Sequence, residues 1–187
     1  FQKAAVQIAA RHLKKRGGVM IGDVVGLGKT MMASALTKLW QEETGSSTVV
    51  LCPKNLERMW KGESSAHGLL TEVIPFSRAI KQLPNVPARY KLVLIDESHN
   101  LRNREGKIYN AIREFIAQSQ ARVILLSATP YNKTFLDLSN QLRLFVPSDE
   151  DIGIRPEALL RTIGEVEFNR IHQGGARTLE AFEKSEI

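Results

Sequence analysis

Cysteine, aromatic residues and long apolar runs are all scarce in this sequence of 187 residues. Its one cysteine, Cys52, excludes a disulfide within the chain and favours a reducing, cytoplasmic setting. Aromatic residues make up 6% of the chain, so we expect a mainly aliphatic core. No apolar stretch approaches the roughly 20 residues that a membrane-spanning helix needs, and we expect no membrane partner. The histidines are scattered without the spacing of a metal site.

The balance of charge is basic. Lysine and arginine number 26 against 20 aspartates and glutamates, which gives a net charge of +6 and a pI of about 9.6. Such an excess favours a polyanionic partner such as nucleic acid, although a basic surface that serves only solubility explains the charge equally well. The chain begins at Phe1 without an initiator methionine or a signal peptide, so we expect it to be a fragment of a longer protein.

Apolar runs alternate along the chain with helix-forming segments. The runs are not interrupted by polar residues, which is typical of strands that are buried on both faces. Predicted strands lie at Val19 to Ile21, Thr48 to Leu51, Glu72 to Phe76, Leu92 to Ile95 and Arg122 to Leu126. Predicted helices lie at Gln2 to Arg16, Lys29 to Glu43, Asn55 to Lys61, Ser77 to Gln82, Lys107 to Gln118 and Thr134 to Phe145. Strands that alternate with helices predict a three-layer α/β/α domain with a mainly parallel sheet.

The chain changes character after Val146. An acidic, turn-prone stretch follows, and short helices are predicted at Glu157 to Ile163 and at Thr178 to Lys184. This tail has no strong strand and is too small for a core of its own. We therefore divide the chain into an α/β domain at residues 1–146 and a small helical extension at residues 147–187.

The strongest motif lies between the first predicted strand and the helix after it. Gly22 to Thr30 reads Gly-Asp-Val-Val-Gly-Leu-Gly-Lys-Thr, a glycine-rich turn that opens a helix, as a phosphate-binding loop requires. Its glycines allow backbone N–H groups to surround a phosphate at the helix N-terminus. Lys29 would reach the β- and γ-phosphates of a nucleotide, and the Thr30 hydroxyl would bind Mg²⁺. Asp23 stands where the general motif has its first glycine, so this loop is not the common form.

Polar side chains follow two later strands. Asp96 and Glu97 come at the carboxyl end of the strand Leu92 to Ile95, where open α/β sheets bind their ligands. Asp96 is the predicted Mg²⁺ ligand, and Glu97 is the predicted base that orients and deprotonates an attacking water. Ser127 and Thr129 follow the last strand, where their hydroxyl groups can bond to neighbouring loops and respond to the nucleotide. Either strand end alone would suit an ordinary solvated cap, but downstream of a phosphate loop they indicate a nucleotide site.

These three motifs together resemble the Swi/Snf-type ATPases, a branch of the superfamily-two helicases. In that branch the loop reads Asp-x-x-Gly-x-Gly-Lys-Thr, and Asp23 to Thr30 matches it, including the aspartate. Asp96 to His99 matches the Asp-Glu-x-His box, with serine where alanine is more usual. Ser127 to Thr129 matches the motif that couples nucleotide state to movement.

Further segments carry the resemblance, which covers roughly Phe1 to Val146. Gln2, after the aromatic Phe1, resembles the upstream glutamine that reads adenine in this branch. Val50 to Pro53, followed by Trp60, is similar to the motif that leads toward the nucleic-acid track. The phrase Asp96 to Asn103 is most similar to bacterial members, so the bacterial cytosol or nucleoid is the expected location.

The resemblance implies a RecA-like P-loop lobe that uses ATP and Mg²⁺ to drive translocation on DNA, usually duplex. The nucleotide-binding positions it implies are Gln2, Asp23, Gly26, Leu27, Gly28, Lys29 and Thr30. The catalytic residues it implies are Lys29, Asp96 and Glu97, with Thr30 and Asp96 toward Mg²⁺ and His99, Ser127 and Thr129 as the coupling set. Five candidates for nucleic-acid contact lie just beyond strand ends, where an ordinary solvated side chain is an equally good explanation for each: Lys54, Arg78, Arg102, Asn103 and Lys133.

The motifs of a second lobe are missing, including the arginines that complete the ATP site in this branch. Such arginines contribute about 10³ to 10⁵ in rate. We therefore expect the fragment to be nearly inactive without the second RecA-like lobe of its full-length chain. Two other functions stay open: a nucleotide switch without motor activity, which the Glu97 carboxylate disfavours, and an RNA-directed helicase, which Asp23 disfavours.

Overall fold

In the part of the chain that the structure describes, five parallel strands form one sheet that helices cover on both faces. The computed structural model describes residues 2–22, 28–130, 135–147, 164–167 and 178–179. Within these ranges the strands are β1 (Gly18–Gly22), β2 (Ser47–Cys52), β3 (Thr71–Pro75), β4 (Tyr90–Ile95) and β5 (Arg122–Ser127). The α-helices are α1 (Gln2–Arg16), α2 (Lys29–Thr44), α3 (Glu57–Ala66), α4 (Phe76–Gln82), α5 (Lys107–Ser119) and α6 (Phe135–Leu142). The described residues also contain three short 3₁₀ helices, at Lys54–Leu56, Leu83–Asn85 and Ser98–Leu101.

The strand order in the sheet is β1-β5-β4-β2-β3, and every neighbouring pair is parallel. The order places the carboxyl ends of β1, β5 and β4 side by side. Each of the three is followed in the chain by one of the predicted motifs. The predicted three-layer α/β/α fold with a parallel sheet is therefore confirmed.

The core has two layers because successive strand residues point to opposite faces of the sheet. On β4, Val93 and Ile95 pack with the buried residues of α5, whereas Leu92 and Leu94 pack with Trp60 and with the buried residues of α1 and α2. All of these β4 side chains are fully buried. The continuous apolar runs of β2, β4 and β5 therefore correspond to strands that are covered on both faces, as predicted.

Some predicted boundaries differ from the observed ones. Helix α3 runs to Ala66 instead of Lys61, because buried Trp60 and Ser64 fix it against the sheet through the helix-weakening Gly62. The helix predicted at Thr134 to Phe145 ends earlier: α6 stops at Leu142 and the chain continues in turns. In those turns the Phe145 N–H donates to the Leu142 carbonyl over 3.0 Å.

Little of the predicted helical extension falls within the described residues. Residues 164–167 are helical, and Leu179 is buried against Val146 at the end of the α/β domain. The predicted helix at Glu157 to Ile163 lies outside the described residues, as does most of the one at Thr178 to Lys184. In the described part of the chain, no helix is both long enough and apolar enough to cross a membrane.

Candidate functional site

The candidate site lies at the carboxyl edge of the sheet, where three neighbouring strands end. Gly22 at the end of β1 pairs with Ser127 at the end of β5, and Ile95 at the end of β4 pairs with Leu125. These pairings bring the end of β1, the Asp96–Glu97 pair and the residues after β5 to one edge. The strand ends that precede the three predicted motifs thus lie next to one another.

Helix α2 begins where the phosphate loop was predicted to end. Gly28 precedes the helix with φ 87° and ψ 28°, a left-handed conformation that costs an L-residue with a side chain roughly 1–2 kcal/mol. Lys29 and Thr30 form the first turn, and the Gly28 carbonyl accepts the N–H of Met32 over 2.9 Å. The backbone donors of this turn and the helix dipole favour an anion at this end.

Several predicted nucleotide-binding residues fall outside the described part of the chain. Asp23, Gly26 and Leu27 belong to residues 23–27, and the side chain of Gln2 is likewise outside. Their assignment remains a prediction from the sequence.

Asp96 follows β4 and continues its alternation, so its side chain faces the layer that contains Trp60. The Trp60 indole donates from Nε1 to Asp96 Oδ2 over 2.9 Å, and the backbone N–H of Glu97 donates to Oδ1 over 2.8 Å. The Asp96 N–H in turn donates to the carbonyl of Leu51 over 2.8 Å, which ties the end of β4 to β2. Both oxygens of a nearly buried carboxylate, 8% exposed, are therefore held by fixed donors.

Glu97 has an unusual backbone for its residue type. Its φ of 51° and ψ of 48° lie in the left-handed region, which is rare for residues other than glycine and is concentrated at functional sites. This turn directs the chain away from β4 immediately after Asp96. The Glu97 side chain remains 35% exposed, so solvent can reach its carboxylate.

His99 connects Glu97 with the end of β5. Its Nδ1 lies 3.0 Å from Glu97 Oε2 and 3.3 Å from Ser127 Oγ. Because a carboxylate only accepts, we assign a hydrogen to Nδ1 that donates to Glu97. Ser127 Oγ also accepts the N–H of Thr129 over 3.1 Å. The three residues predicted as a coupling set therefore form one chain of contacts that starts at the predicted base.

A second, buried connection on this side was missed by the sequence analysis. Gln141 of α6 is fully buried; its Oε1 accepts the Ser98 hydroxyl over 2.8 Å. Its Nε2 donates to the carbonyls of Pro130 and Asp137, each over 2.8 Å. One amide thus joins the turn after β4, the segment after β5 and α6. A glutamine in an amphipathic helix carries no signal of this role in a single sequence.

On the other side, two of the predicted nucleic-acid contacts, Lys54 and Arg78, pair with one acidic residue. Glu57, whose side chain is 10% exposed, pairs with Lys54, Lys61 and Arg78, and the nitrogen–oxygen distances are 2.5, 2.8 and 2.5 Å. These hydrogen bonds, those of Lys54 and Lys61 foremost, lower the pKa of the Glu57 carboxyl from 4.5 to about 2. Lys54 and Lys61 keep more than half of their side-chain surface exposed, so the cluster presents cations to solvent.

Arg102 and Asn103 form hydrogen bonds with other residues of the chain. Arg102 Nη2 donates to the Thr129 carbonyl over 2.6 Å, and its backbone carbonyl accepts the side chain of Asn140 over 2.6 Å. Asn103 Oδ1 accepts the N–H of Glu105 over 3.0 Å, which closes a turn. Lys133 lies outside the described residues. Arg102 therefore links the segment that follows β4 to the segment that follows β5. Its position in the sequence did not predict this role.

Cys52 lies at the end of β2, close to both acidic groups. It is fully buried, and this burial, together with the negative charges of Asp96 and Glu57, raises the pKa of its thiol to about 11. The thiol is therefore protonated and unreactive at neutral pH, as expected for a small buried hydrophobe.

The donor set at this edge fits a magnesium ion that arrives with a nucleotide. Mg²⁺ binds through one or two carboxylates, waters and substrate phosphates more often than in an all-protein cage. Asp96 offers a carboxylate whose oxygens each accept one hydrogen bond and so retain a second lone pair, and Thr30 offers a hydroxyl. Among the described residues, no group of three or more histidine, cysteine, aspartate or glutamate side chains is placed to hold a metal alone.

Comparison with known proteins relates the chain to SWI/SNF-type and helicase-like proteins. No protein-family model matches it. It is 27% identical over 179 residues to the SWI/SNF-related matrix-associated actin-dependent regulator of chromatin subfamily A-like protein 1 of Xenopus laevis, covering 83% of this chain. It is 25% identical over 162 residues to the uncharacterized ATP-dependent helicase YqhH of Bacillus subtilis, covering 76% of this chain. The chain spans only 18% and 28% of these two relatives.

Solved structures match the fold over most of the chain. The Sulfolobus solfataricus SWI2/SNF2 ATPase core in complex with dsDNA superimposes with a TM-score of 0.67 at 19% identity, over 90% of this chain and 41% of that one. The UvsW helicase of bacteriophage T4 superimposes with a TM-score of 0.53 at 12% identity, over 78% of this chain and 57% of that one. At these identities the match establishes the fold alone, a parallel α/β sheet with helices on both faces.

Proposed function

We propose that this relative of the Swi/Snf-type, helicase-like ATPases is the ATP-binding lobe of a motor that couples ATP hydrolysis to movement on duplex DNA. The observation that carries the proposal is the meeting of three motifs at one sheet edge. The start of α2 offers backbone donors for phosphate, Asp96 and Glu97 offer two carboxylates with different surroundings, and His99 contacts both Glu97 and Ser127. Each part matches a requirement of nucleoside triphosphate hydrolysis.

The proposed division of labour follows from the environments of the two carboxylates. Asp96, nearly buried and held by two N–H donors, is suited to hold Mg²⁺ together with Thr30. The bound metal would supply charge neutralisation to the phosphates. Glu97, one third exposed, is suited to orient a water and to accept its proton as the water oxygen bonds to the γ-phosphorus and the bond to the β–γ bridging oxygen breaks.

The remaining nucleotide contacts are proposed from the motif match. Lys29 reaches the β- and γ-phosphates, and Asp23, Gly26, Leu27 and Gly28 form the loop around them. Gln2 reads the adenine base. His99, Ser127 and Thr129 form the coupling set, because their contacts run from Glu97 to the segment that follows β5.

Duplex DNA is the proposed track. The net charge of +6 and the exposed cations Lys54 and Lys61 favour a polyanion, and one structural neighbour was solved with dsDNA. The proposed set of DNA contacts also includes Arg78, Arg102, Asn103 and Lys133. For each of these side chains, an ordinary solvated or structural role is an equally good explanation.

We further propose that the active protein contains more than this lobe. Residues 1–146 form lobe 1, and residues 147–187 form a helical extension or the start of an insertion before a second RecA-like lobe. The much greater length of the relatives supports this proposal. We also propose a location in the bacterial cytosol or nucleoid, because the segment Asp96 to Asn103 is most similar to bacterial members.

The decisive experiment is steady-state ATPase activity of the chain extended through a second lobe. It should be measured without nucleic acid and then with duplex DNA, single-stranded DNA and RNA, with Lys29→Ala as the blank. We expect stimulation mainly by duplex DNA that Lys29→Ala abolishes. Activity that responds to no nucleic acid would instead favour a nucleotide switch, and stimulation by RNA alone would favour an RNA-directed motor.

A further inference from the structure

The indole of Trp60 makes an unusual contact for a core side chain. Trp60 is fully buried on α3 among aliphatic residues, and its ring contributes to the layer that covers β2 and β4. A buried indole N–H requires an acceptor, since leaving it unpaired costs free energy. The acceptor here is Asp96 Oδ2, 2.9 Å from Nε1, instead of a backbone carbonyl or a neutral side chain.

This contact fixes the orientation of the carboxylate. The backbone N–H of Glu97 already holds Oδ1, but that donor belongs to the turn that Asp96 itself opens. Trp60 supplies the only side-chain donor to Asp96 among the hydrogen bonds of the described residues, and it comes from a different layer of the fold. With one donor on each oxygen, the plane of the carboxylate cannot turn without breaking a bond in a buried site.

The other tryptophan gives an internal reference. Trp40 lies on α2, packs partly buried against the same layer of the core, and its Nε1 is buried without a hydrogen-bond partner in the described part of the chain. The sequence has only these two tryptophans. One indole N–H therefore acts on a carboxylate and the other does not, although both rings serve the same hydrophobic layer.

We propose that Trp60 is a positioning residue for the metal site: its Nε1–H sets the Asp96 carboxylate in the orientation that Mg²⁺ with a bound nucleotide requires. The inference rests on the proposed function, because Asp96 is there assigned to the metal. Partners that orient metal ligands through hydrogen bonds typically change metal affinity by about 10- to 100-fold when they are removed.

The test compares Trp60→Phe with Trp40→Phe, because each change removes an indole N–H and keeps an aromatic ring in the same core layer. Binding of a fluorescent ADP analogue should be followed by anisotropy while Mg²⁺ is titrated. We expect Trp60→Phe to raise the half-saturating Mg²⁺ concentration by about 10-fold or more and Trp40→Phe to leave it unchanged. A purely structural role would lower the stability of Trp60→Phe without moving the Mg²⁺ midpoint.

A second variant keeps the test valid if the smaller ring disturbs the core. Replacement of Trp60 by benzothienylalanine, in the Trp40→Phe background, substitutes sulfur for the N–H with little change of shape. It should reproduce the raised Mg²⁺ midpoint. An unchanged midpoint in this protein would overturn the inference.

The unmodified protein and the Lys29→Ala variant show whether a failed test refutes this inference or the proposed function. If the unmodified full-length protein shows no Mg²⁺-dependent binding of the ADP analogue, or if its Lys29→Ala variant binds it equally well, the proposed site is wrong and the inference is overturned with it. If the unmodified full-length protein binds in an Mg²⁺-dependent way and both tryptophan variants match it, the site stands and the role of Trp60 alone is refuted.

Discussion

The two sides of the Asp96–Glu97 pair are built from different kinds of contact. On the β2 side, which comprises Glu57 and Trp60 of α3, the contacts are ion pairs and a buried N–H donor to a carboxylate. On the β5 side, which comprises His99, Ser127 and Gln141, they are an imidazole, a hydroxyl and an amide. The β2 side therefore centres on carboxylates that pair with cations or with an N–H donor. The β5 side links Glu97 to hydroxyl, amide and carbonyl groups, and the Arg102 guanidinium joins it through the Thr129 carbonyl.

This difference assigns different tasks to the two sides. On the β2 side, the Trp60 indole donates to Asp96 Oδ2 and to no other acceptor in the hydrogen bonds of the described residues, so it holds Asp96 in place. His99 Nδ1 has two acceptors within reach, Glu97 Oε2 and Ser127 Oγ, so its hydrogen can be directed to either. We infer that the β2 side maintains the metal site and that the β5 side responds to hydrolysis.

Glu97→Gln should give the largest effect, because it removes the group on which the β5 side converges. The amide keeps the size of the side chain but cannot accept a proton, and general bases contribute about 10²- to 10⁴-fold to rate. We expect nucleic-acid-stimulated turnover of the full-length protein to fall by that factor while binding of the ADP analogue is retained. Exposed Glu105→Gln is the matched control, and turnover that survives Glu97→Gln would refute the assigned base.

Gln141→Leu tests whether the β5 side is held together by a buried amide. The change leaves the Ser98 hydroxyl and two carbonyls without this partner, and an unpaired buried polar group costs about 1–3 kcal/mol. We expect the free energy of unfolding, measured in urea, to fall by about 2–4 kcal/mol. Exposed Gln118→Leu on α5 should change it little. Equal stability of the two variants would mean that water replaces the amide.

The sequence predicted the elements of this edge better than their connections. Apolar runs predicted all five strands, most clearly β2, β4 and β5, because burial on both faces leaves a continuous apolar pattern, whereas the prediction for β3 was weaker. The motifs after β4 and β5 lie at the same edge of the sheet because the two strands are parallel neighbours and end there together. Gln141 and the bond from Trp60 to Asp96 join residues 43 and 36 positions apart, and such contacts depend on helix packing that no local pattern encodes.

The sequence also did not predict the left-handed backbone conformation of Glu97. Glutamate is not a residue that favours positive φ, so local preference predicts an ordinary strand end there. The reason for the conformation is tertiary: the Asp96 N–H remains paired with β2 while the chain turns toward the 3₁₀ helix Ser98–Leu101. Departures of this kind from local rules are concentrated where a fold serves a site.

A double-mutant cycle of His99→Ala and Ser127→Ala tests whether the β5 side works as one chain of contacts. A hydrogen bond contributes about 1 kcal/mol net, so each single change should lower stimulated turnover by about fivefold to tenfold. The double variant should be barely worse than either single one, because the two residues share one interaction. His67→Ala is the control, since His67 pairs with Glu63 on the surface of α3 over 3.3 Å. Strictly additive losses would show that His99 and Ser127 act independently.

Glu57→Gln gives the smallest expected effect and tests the charge dependence of the β2 side. The pKa of this carboxyl is lowered to about 2 in the folded protein from an ordinary value of 4.5, so its ion pairs stabilise the fold fully above pH 4.5. That contribution is lost as the pH falls from about 4.5 toward 2, because the carboxylate is then protonated. The difference in urea midpoint between the parent chain and Glu57→Gln should therefore shrink between pH 6 and pH 3.

Two comparisons make this pH dependence specific to the ion pairs. Exposed Glu114→Gln on α5 should show no comparable trend, and Gln141→Leu on the β5 side should lower stability equally at both pH values, because no group that it unpairs titrates in this range. A pH-independent Glu57→Gln difference would mean that the three cations are equally well solvated without their partner. The β2 side would then depend on Trp60 alone, and its cations would be available to a polyanion at no cost to the fold.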